Sequence, residues 1–440
     1  MPVLFSIREE MGIFKSINRE SLSWALYDWA NSAYATTVLA VFFPLFFNEF
    51  WSAGEDTTVT TARLGIATSV TGVILMLVSP VTGALSDLAG SKKRYLLYAT
   101  LAGSLSTASL FFVPGGYWLP AILLFSFSSF CFSGGIIFYD SLLNSVAGRK
   151  SLNFVSSLGY SLGYLGGGIL LALNILATTK PEMFGISSSE EAVKLSFVSV
   201  GVWWLLFSIP LFRFVQEKKH EVKEAHSHDL AAGFKKINDT LSHIRKIKGV
   251  FLFLLAYWLY IDGVDTIIRM AMDFGISIGF EKNSLITALL ITQFVGFPSA
   301  LLTGMLFKGE KGARKGIYFT IAVYLCVSVL GAFMKNETHF YVLAVTVGLV
   351  QGGIQALSRS YFASIIPDNR EGEFFGLYNM IGKFAVILGP LFIAVTGLIL
   401  RSSGFSSDAA SRGGIMSVSF FFIAGGILFY MSGRAIREKS

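Results

Sequence analysis

The sequence is short of charged residues and of cysteine, and both shortages narrow what the chain can be. Only 14% of its 440 residues are Asp, Glu, Lys or Arg, whereas 53% are hydrophobic. That balance excludes soluble globular domains of this length. The two cysteines, Cys131 and Cys326, each lie in an apolar run, so neither a disulfide nor a cysteine metal site is expected. The sequence therefore predicts a membrane protein.

Catalytic and nucleotide-binding motifs are also absent from the sequence. No histidine lies deeper in a predicted membrane span than the end residue His339, which argues against a histidine proton relay. His226 and His228 could ligate a metal, but two histidines without further ligands more often belong to a solvated stretch. Without a nucleophile motif or a glycine-rich phosphate loop, we expect neither an enzyme nor an ATP-driven pump, and no cofactor.

The positive net charge of +7 would suggest a nucleic-acid partner in a soluble protein. Here Lys and Arg lie mostly in loops between apolar runs. We therefore expect the protein to lie in a lipid bilayer and to bind no nucleic acid. Residues 1–20 lack a sustained apolar stretch, so a cleaved signal peptide is not expected.

Apolar runs of about 20 residues predict twelve membrane-spanning helices. Their approximate cores are 22–50, 63–85, 95–113, 118–143, 153–177, 193–214, 249–274, 284–307, 315–334, 339–362, 372–399 and 412–433. The even-numbered turns hold most of the cations and the odd-numbered turns few. By the positive-inside rule, both termini are expected in the cytoplasm.

One long polar stretch, 216–248, separates a predicted six-helix bundle at 1–215 from a second bundle at 249–440. Its second part, 230–248, spaces apolar residues at helical intervals among cations. This pattern predicts an amphipathic helix on the inner leaflet, with a partner-binding helix as the alternative.

The loop after the second predicted span combines Gly83, Asp87, Gly90 and Arg94. The glycines permit close packing and a tight turn, and Asp87 can cap a helix N-terminus or pair with Arg94. The pattern resembles the loop between helices 2 and 3 of the major facilitator superfamily. The resemblance implies an all-α integral membrane fold of twelve helices in two six-helix bundles, with these four residues at the inner gate.

Polar side chains inside the predicted spans are costly in lipid, at roughly 2.5 to 3.5 kcal/mol for each charge, and usually face a cavity. The candidate substrate-binding or coupling residues are Asp28, Asn31, Asp262, Asp265, Arg269, Gln351, Gln355, Arg359 and Lys383. The superfamily resemblance implies that helices 1, 4, 7 and 10 line a central cavity. Asp140, at the end of helix 4, is expected to be exposed and to have a helix-terminal role.

The candidates have alternative interpretations. Asp262 should lie near the middle of the bilayer, where a carboxylate could accept a coupled proton. Asp265 and Arg269, four residues apart, could form a structural ion pair, and Asp28 could pair with Arg359 instead of binding solute or proton. Lys383 could neutralise a carboxylate or hold a substrate carboxylate.

Gln351 and Gln355 share a helix face. Their amides could bind a zwitterion or a hydroxylated solute, or could hold helices together. Glycines of helix 5, among them Gly163, Gly166 and Gly167, and glycines of helix 11, among them Gly376, Gly382 and Gly389, predict close helix packing.

Several segments, 27–34, 156–168, 262–269, 351–360 and 373–378, resemble the vacuole-effluxer-like branch of the superfamily, and the resemblance covers almost the whole chain. It implies efflux of amino acids, as in the fungal members. Asp140 and Asp265 depart from the branch's usual Asn and Gln, so the cavity is more acidic than in the branch and could favour a cationic solute.

We therefore expect a monomeric secondary transporter of a small polar solute, with amino acids or related metabolites as the first candidates and a proton as the coupling ion to be tested. Its expected location is the inner membrane of a bacterium. The alternatives are a proton-independent facilitator and a non-transporting receptor or scaffold of the same fold. No metal site is expected.

Overall fold

A computed structural model describes residues 17–217, 247–277, 280–368, 370–384 and 388–438, and this part of the chain is helical without strands. The main helices are α1 (Arg19–Trp51), α2 (Thr57–Ala89), α3 (Lys92–Ser109), α4 (Trp118–Ser141), α5 (Leu152–Thr179), α6 (Ser189–Phe214), α7 (Lys248–Ser277), α8 (Lys282–Leu306), α9 (Gly309–Ala332), α10 (Glu337–Ile365), α11 (Glu371–Phe384), α12 (Leu388–Ser402), α13 (Ser407–Ser417) and α14 (Ser419–Arg437).

Eleven described helical segments are long and apolar enough to cross a membrane, which confirms the all-helical membrane fold. They correspond to α1–α10 and to the combined segment Asp408–Arg437. Large apolar side chains are exposed along these helices, including Ile66 at 65% and Leu306 at 74%. Such surfaces suit lipid rather than water.

The predicted single span over 372–399 contains two described helices, α11 and α12. Residues 385–387 between them lie outside the described part, so the continuity of this span stays a prediction. Pro390, near the start of the described part of α12, has no N–H to donate to a preceding helical turn. The predicted amphipathic helix of the linker falls largely on 218–246, outside the described residues.

The chain forms two compact units. The first comprises Met1–Gly148, Leu158–Asp229 and Asn369–Gly376, and the second comprises Arg149–Ser157, Leu230–Asp368 and Leu377–Ser440. The start of α5 thus belongs to the second unit, and the start of α11 belongs to the first. The predicted division at the linker stays a prediction.

Aromatic side chains fill the first unit. Trp24 of α1 stacks on Tyr139 of α4 with ring centroids 4.4 Å apart, and its Nε1 donates to the Tyr139 carbonyl at 2.9 Å. Tyr34 packs against Trp204 of α6 at 5.5 Å. In the middle of α1 the backbone winds as a π-helix over Tyr34–Phe42, a feature often found near functional sites.

Glycines of α5 let α1 approach closely within this unit. A Cβ on Gly166 would lie 2.7 Å from the Trp29 carbonyl oxygen, and one on Gly163 would lie 2.6 Å from Ser32 Oγ. The predicted close packing of these glycines is confirmed.

In the second unit, α7 packs along α14 and α8 packs along α10. Gly425 of α14 accommodates Tyr260 of α7, because a Cβ there would lie 3.0 Å from the Tyr260 backbone nitrogen. These contacts fix α7, which carries three of the predicted site residues.

Candidate functional site

The junction of α2 and α3 holds a buried charge cluster within the first unit. Gly90 ends α2 with a positive φ of 56°, in the left-handed region that glycine adopts easily. Asp87, three residues earlier, accepts hydrogen bonds from the backbone N–H groups of Gly372 at 3.0 Å and Glu373 at 2.8 Å. Its carboxylate therefore caps the N-terminus of α11, one of the two roles that the sequence suggests.

Lys92 completes this charge cluster. Its Nζ lies 3.0 Å from Asp87 Oδ1 and 3.0 Å from Glu371 Oε2, and the residue is only 8% exposed. The predicted pairing of Asp87 with Arg94 is wrong. Arg94 is exposed and donates from Nε to the Tyr98 hydroxyl at 2.9 Å. Arg94 follows Lys92 by two residues, which is a rotation of about 200° around the helix axis. The two side chains therefore point to opposite sides of α3.

Close approach at this cluster depends on glycine. A Cβ on Gly372 would lie 2.6 Å from both the Gly83 carbonyl oxygen and Ser86 Oγ, and a Cβ on Gly83 would collide with the Gly372 carbonyl. Gly376, one turn further along α11, would bring a Cβ within 2.7 Å of the Ser79 carbonyl oxygen. The close packing predicted for Gly83 and Gly376 is confirmed.

Asp28 of α1 is buried in the aromatic part of the first unit. Its Oδ2 accepts a hydrogen bond from the Tyr139 hydroxyl at 2.8 Å, and the side chain is 8% exposed. Asn31, one turn on, is 4% exposed. Tyr139 immediately precedes Asp140, which is 3% exposed, so the expectation of an exposed Asp140 is wrong. The helical path continues past it into the turn Leu143–Val146, which keeps this end of α4 covered.

Asp262 of α7 has no exposed surface. Its Oδ1 accepts the backbone N–H of Gly389 at 2.9 Å and the Thr266 hydroxyl at 3.3 Å. Gly389 is the second residue of the described part of α12, so this carboxylate lies beside that part of the helix. Asp265 is half-buried and Arg269 is exposed. Their ion pair stays a prediction.

Arg359 of α10 is 2% exposed and bound to the start of α5 within the second unit. Its Nε donates to Ser156 Oγ at 2.9 Å, and its Nη2 donates to the Ser156 carbonyl at 2.8 Å. The Ser156 hydroxyl in turn donates to the Ala356 carbonyl at 2.8 Å. The suggested pairing of Arg359 with Asp28 stays a prediction.

A cavity of about 170 Å³ lies inside the second unit, between α7, α8, α9, α10, α12 and α13. Its walls are mostly aliphatic, with Gln293, Gln351 and Thr266 as polar members. Gln351 is half-buried, and its Oε1 has no hydrogen-bond partner among the residues that the structure describes. Gln355 is also half-buried and has partners.

The predicted site residues thus form separate groups. Asp28 and Asn31 lie in the first unit, whereas Asp262, Asp265 and the candidates on α10 lie in the second. Lys383 belongs to the last turn of α11, and its side chain lies outside the described residues. Their union in one site stays a prediction.

Sequence reasoning missed several partners of the predicted residues. Glu371 lies 279 residues along the chain from Lys92, and Ser156 lies 203 residues from Arg359. Lys92 and Thr266 look like ordinary helix residues. A signal was available for two of them. Lys92 is the first residue of its helix, and Thr266 lies four residues after Asp262, on the same helical face.

The model of the family described as vacuole effluxer Atg22-like matches residues 17–153 and 144–432. The chain belongs to the vacuole effluxer Atg22-like family. The uncharacterized MFS-type transporter YxiO of Bacillus subtilis (strain 168) is 38% identical over 416 residues, which cover 94% of each chain. Autophagy-related protein 22 of Eremothecium gossypii is 23% identical over 437 residues, covering 86% of this chain and 85% of the relative.

Solved structures share the fold of this Atg22-like chain at low identity. The human organic anion transporter MFSD10 (TETRAN) superimposes with a TM-score of 0.69 at 13% identity, over 93% of this chain and 99% of that one. The proton:xylose symporter XylE superimposes with a TM-score of 0.65 at 13% identity, over 95% of both chains. The protein is therefore a multi-pass membrane transporter with the major facilitator fold, a secondary transporter and not an enzyme.

Proposed function

We propose that the protein moves a small polar solute by alternating access, driven by the proton gradient, and that amino acids or related metabolites are its first candidate solutes. Asp262 is the observation that supports proton coupling best. A carboxylic side chain without exposed surface lies within an apolar span, where a fixed charge is costly. The amino acid class comes from the family resemblance alone.

The proposal gives the remaining candidates distinct roles. Asp28 and Asp265 serve as cation-binding or coupling groups, whereas Arg269, Arg359 and Lys383 serve as their charge partners. The amide groups of Asn31, Gln351 and Gln355 orient the solute through donors and acceptors. Gly83, Gly90, Asp87 and Lys92 hold the inner gate, with Lys92 in the position first given to Arg94.

The proposed setting is the inner membrane of a bacterium, with both termini in the cytoplasm and the protein acting as a monomer. Its partners are the solute, protons and lipid, with no nucleic acid and no metal.

Transport by the full chain in proteoliposomes tests this function. A thermal-shift screen of amino acids, peptides, sugars and organic acids selects solutes, and counterflow of the labelled solute then measures exchange. We expect counterflow for at least one solute and uptake that responds to an imposed pH gradient. Asp28→Asn and Asp262→Asn should reduce gradient-driven uptake, whereas Asp56→Asn, at an exposed helix cap that asparagine can also form, should not.

Other outcomes would assign the protein differently. Uptake that is unchanged by ionophores would indicate a proton-independent facilitator. A complete lack of counterflow, together with loss of biological activity on deletion of 230–248, would indicate a receptor or scaffold. Full gradient-driven uptake in both aspartate variants would remove proton coupling through these two groups.

A further inference from the structure

The backbone of α12 at Gly389 lies against the Asp262 side chain of α7. The Gly389 N–H and the Thr266 hydroxyl both donate to Oδ1 of this carboxylate, at 2.9 Å and 3.3 Å. A Cβ on Gly389 would collide with Thr266 Oγ1 and lie 2.8 Å from Asp262 Oδ1. Only glycine lets α12 come this close to Asp262 at this position.

The two oxygens of this carboxylate have different surroundings. Oδ1 has both donors, whereas Oδ2 is buried without a hydrogen-bond partner among the described residues. A charged carboxylate whose second oxygen is buried and unpaired carries a large desolvation cost. A proton on Oδ2 removes that charge and needs no cavity, whereas a metal cation would need several further oxygen ligands and the room for them.

We propose that Oδ2 of Asp262 is the atom that takes and releases the coupled proton, and that Thr266 and the Gly389 N–H are positioning groups that hold Oδ1. This inference rests on the proposed proton-coupled transport and specifies its site. One O–H bond forms on Oδ2 as hydronium gives up a proton, and the same bond breaks when water takes the proton back. Because Asp262 has no exposed surface here, both transfers need a conformation in which water reaches it.

The charged or titratable groups of α7 and of the helices packed against it include Asp265, Arg269 and Tyr260 of α7, Tyr324 of α9, Arg359 of α10, Arg401 of α12 and Arg434 of α14. Three of them have partners away from Asp262. Tyr260 bonds Ser358 at 2.7 Å, Arg401 donates to the Phe405 carbonyl at 3.1 Å, and Arg434 pairs with Glu438 at 3.0 Å. Between residues 283 and 306, α8 has no charged side chain.

Infrared difference spectroscopy of the purified full chain in lipid nanodiscs tests the proton site with the proton itself as probe. We expect a carboxylic-acid carbonyl band that rises as the pH falls. Asp262→Asn should remove this band, and Asp56→Asn, at an exposed helix cap outside the proposed site, should keep it. The proposal is overturned if the wild-type chain shows no such band or if the band persists in Asp262→Asn.

The positioning role predicts a shift in that titration. Thr266→Val removes one donor that favours the charged carboxylate, so the midpoint of the band should move to higher pH by roughly 0.5 to 1 unit. The pH profile of uptake should move in the same direction. Thr320→Val is the matched control, because among the described residues this buried threonine donates only to carbonyls of its own helix. An unmoved midpoint in Thr266→Val would show that Thr266 has only a structural role.

The two proposals fail in different ways. If counterflow occurs but uptake and the band are unaffected by Asp262→Asn, transport stands and the Asp262 site is wrong. If no solute is transported but the band vanishes in Asp262→Asn and shifts in Thr266→Val, the proton-binding site stands and the transport function is wrong.

Discussion

Lys92 and Arg94 lie two positions apart at the start of α3, and their surroundings are opposite. Lys92 is buried between the carboxylates of Asp87 and Glu371, whereas Arg94 is exposed beside Tyr98. Removing one member of a buried ion pair is costly, because the remaining charges stay buried without compensation. The same change at an exposed cation costs little.

Lys92→Met is therefore expected to destabilise the protein by about 3–5 kcal/mol. Arg94→Met, the matched control in the same turn, should change the stability by less than about 1 kcal/mol. Thermal unfolding of the detergent-solubilised full chain measures both variants. Equal losses of stability in the two variants would contradict the buried cluster.

The binding of Arg359 to Ser156 depends on the forked shape of the guanidinium group. Two of its nitrogens bind the hydroxyl and carbonyl of Ser156, and a lysine ammonium at the end of a flexible stem cannot reproduce that geometry. Arg359→Lys should lower the stability by about 1–3 kcal/mol in the same unfolding measurement. Arg149→Lys, at a side chain that is 82% exposed, is the control and should leave the unfolding midpoint in place. If the unfolding midpoint of Arg359→Lys equals that of the wild type, a single point charge at this position is enough for the stability of the protein.

At single residues, the sequence identifies which polar groups are unusual but not what they bind. Asp87 and Asp262 stand out because they interrupt or end apolar spans, and their prominence could be predicted. Their partners are backbone N–H groups 285 and 127 residues away along the chain. Every residue has a backbone, so the sequence does not show which backbone groups bind these acids. Only the packing of the helices shows it.

At the scale of helices, backbone N–H groups of α11 and α12 bind acids of neighbouring helices. The N–H groups of Gly372 and Glu373 at the N-terminus of α11 meet Asp87 of α2, and the Gly389 N–H of α12 meets Asp262 of α7. The first N–H groups of a helix lack partners within it and attract negative charge, so Asp87 satisfies both needs at α11. Each contact requires glycine at the contacting position.

Gly389→Ala should separate α12 from α7, because the new Cβ would occupy the space of the Thr266 hydroxyl. We expect a loss of stability of about 1–3 kcal/mol, typical of overpacking, and reduced uptake. Gly382→Ala on α11 is the control, because its nearest neighbour would be the Tyr257 hydroxyl at an ordinary 3.7 Å. A tolerated Gly389→Ala with a destabilising Gly382→Ala would contradict the described contact.

Helix positions could be predicted where apolar length decides them. Spans α1 to α10 follow from runs of about 20 apolar residues, because a helix in lipid must satisfy its own backbone. The continuity of the predicted eleventh span is harder to predict in this way, because Pro390 lies inside its apolar run and hydropathy alone does not respond to a missing N–H.

At the scale of the whole molecule, the number of membrane crossings fixes the sides of the termini. Helices α11 and α12 have 14 and 15 residues, or about 21 Å and 23 Å, and neither alone reaches across a hydrocarbon core of about 30 Å. Together they are long enough for one crossing. If each of the eleven longer described segments also crosses once, the described part of the chain makes twelve crossings, and an even number returns it to the side on which it began.

Reporter fusions test this parity and the proposed orientation together. Green fluorescent protein fused to either end of the full chain should fluoresce in a bacterial host, because both ends are expected in the cytoplasm, where it folds. Alkaline phosphatase, which needs an oxidising compartment, should be inactive at both ends. Fluorescence at only one end would give an odd number of crossings and would show that α11 and α12 do not form a single span. Phosphatase activity at both ends would keep the parity and reverse the orientation, against the distribution of Lys and Arg among the loops.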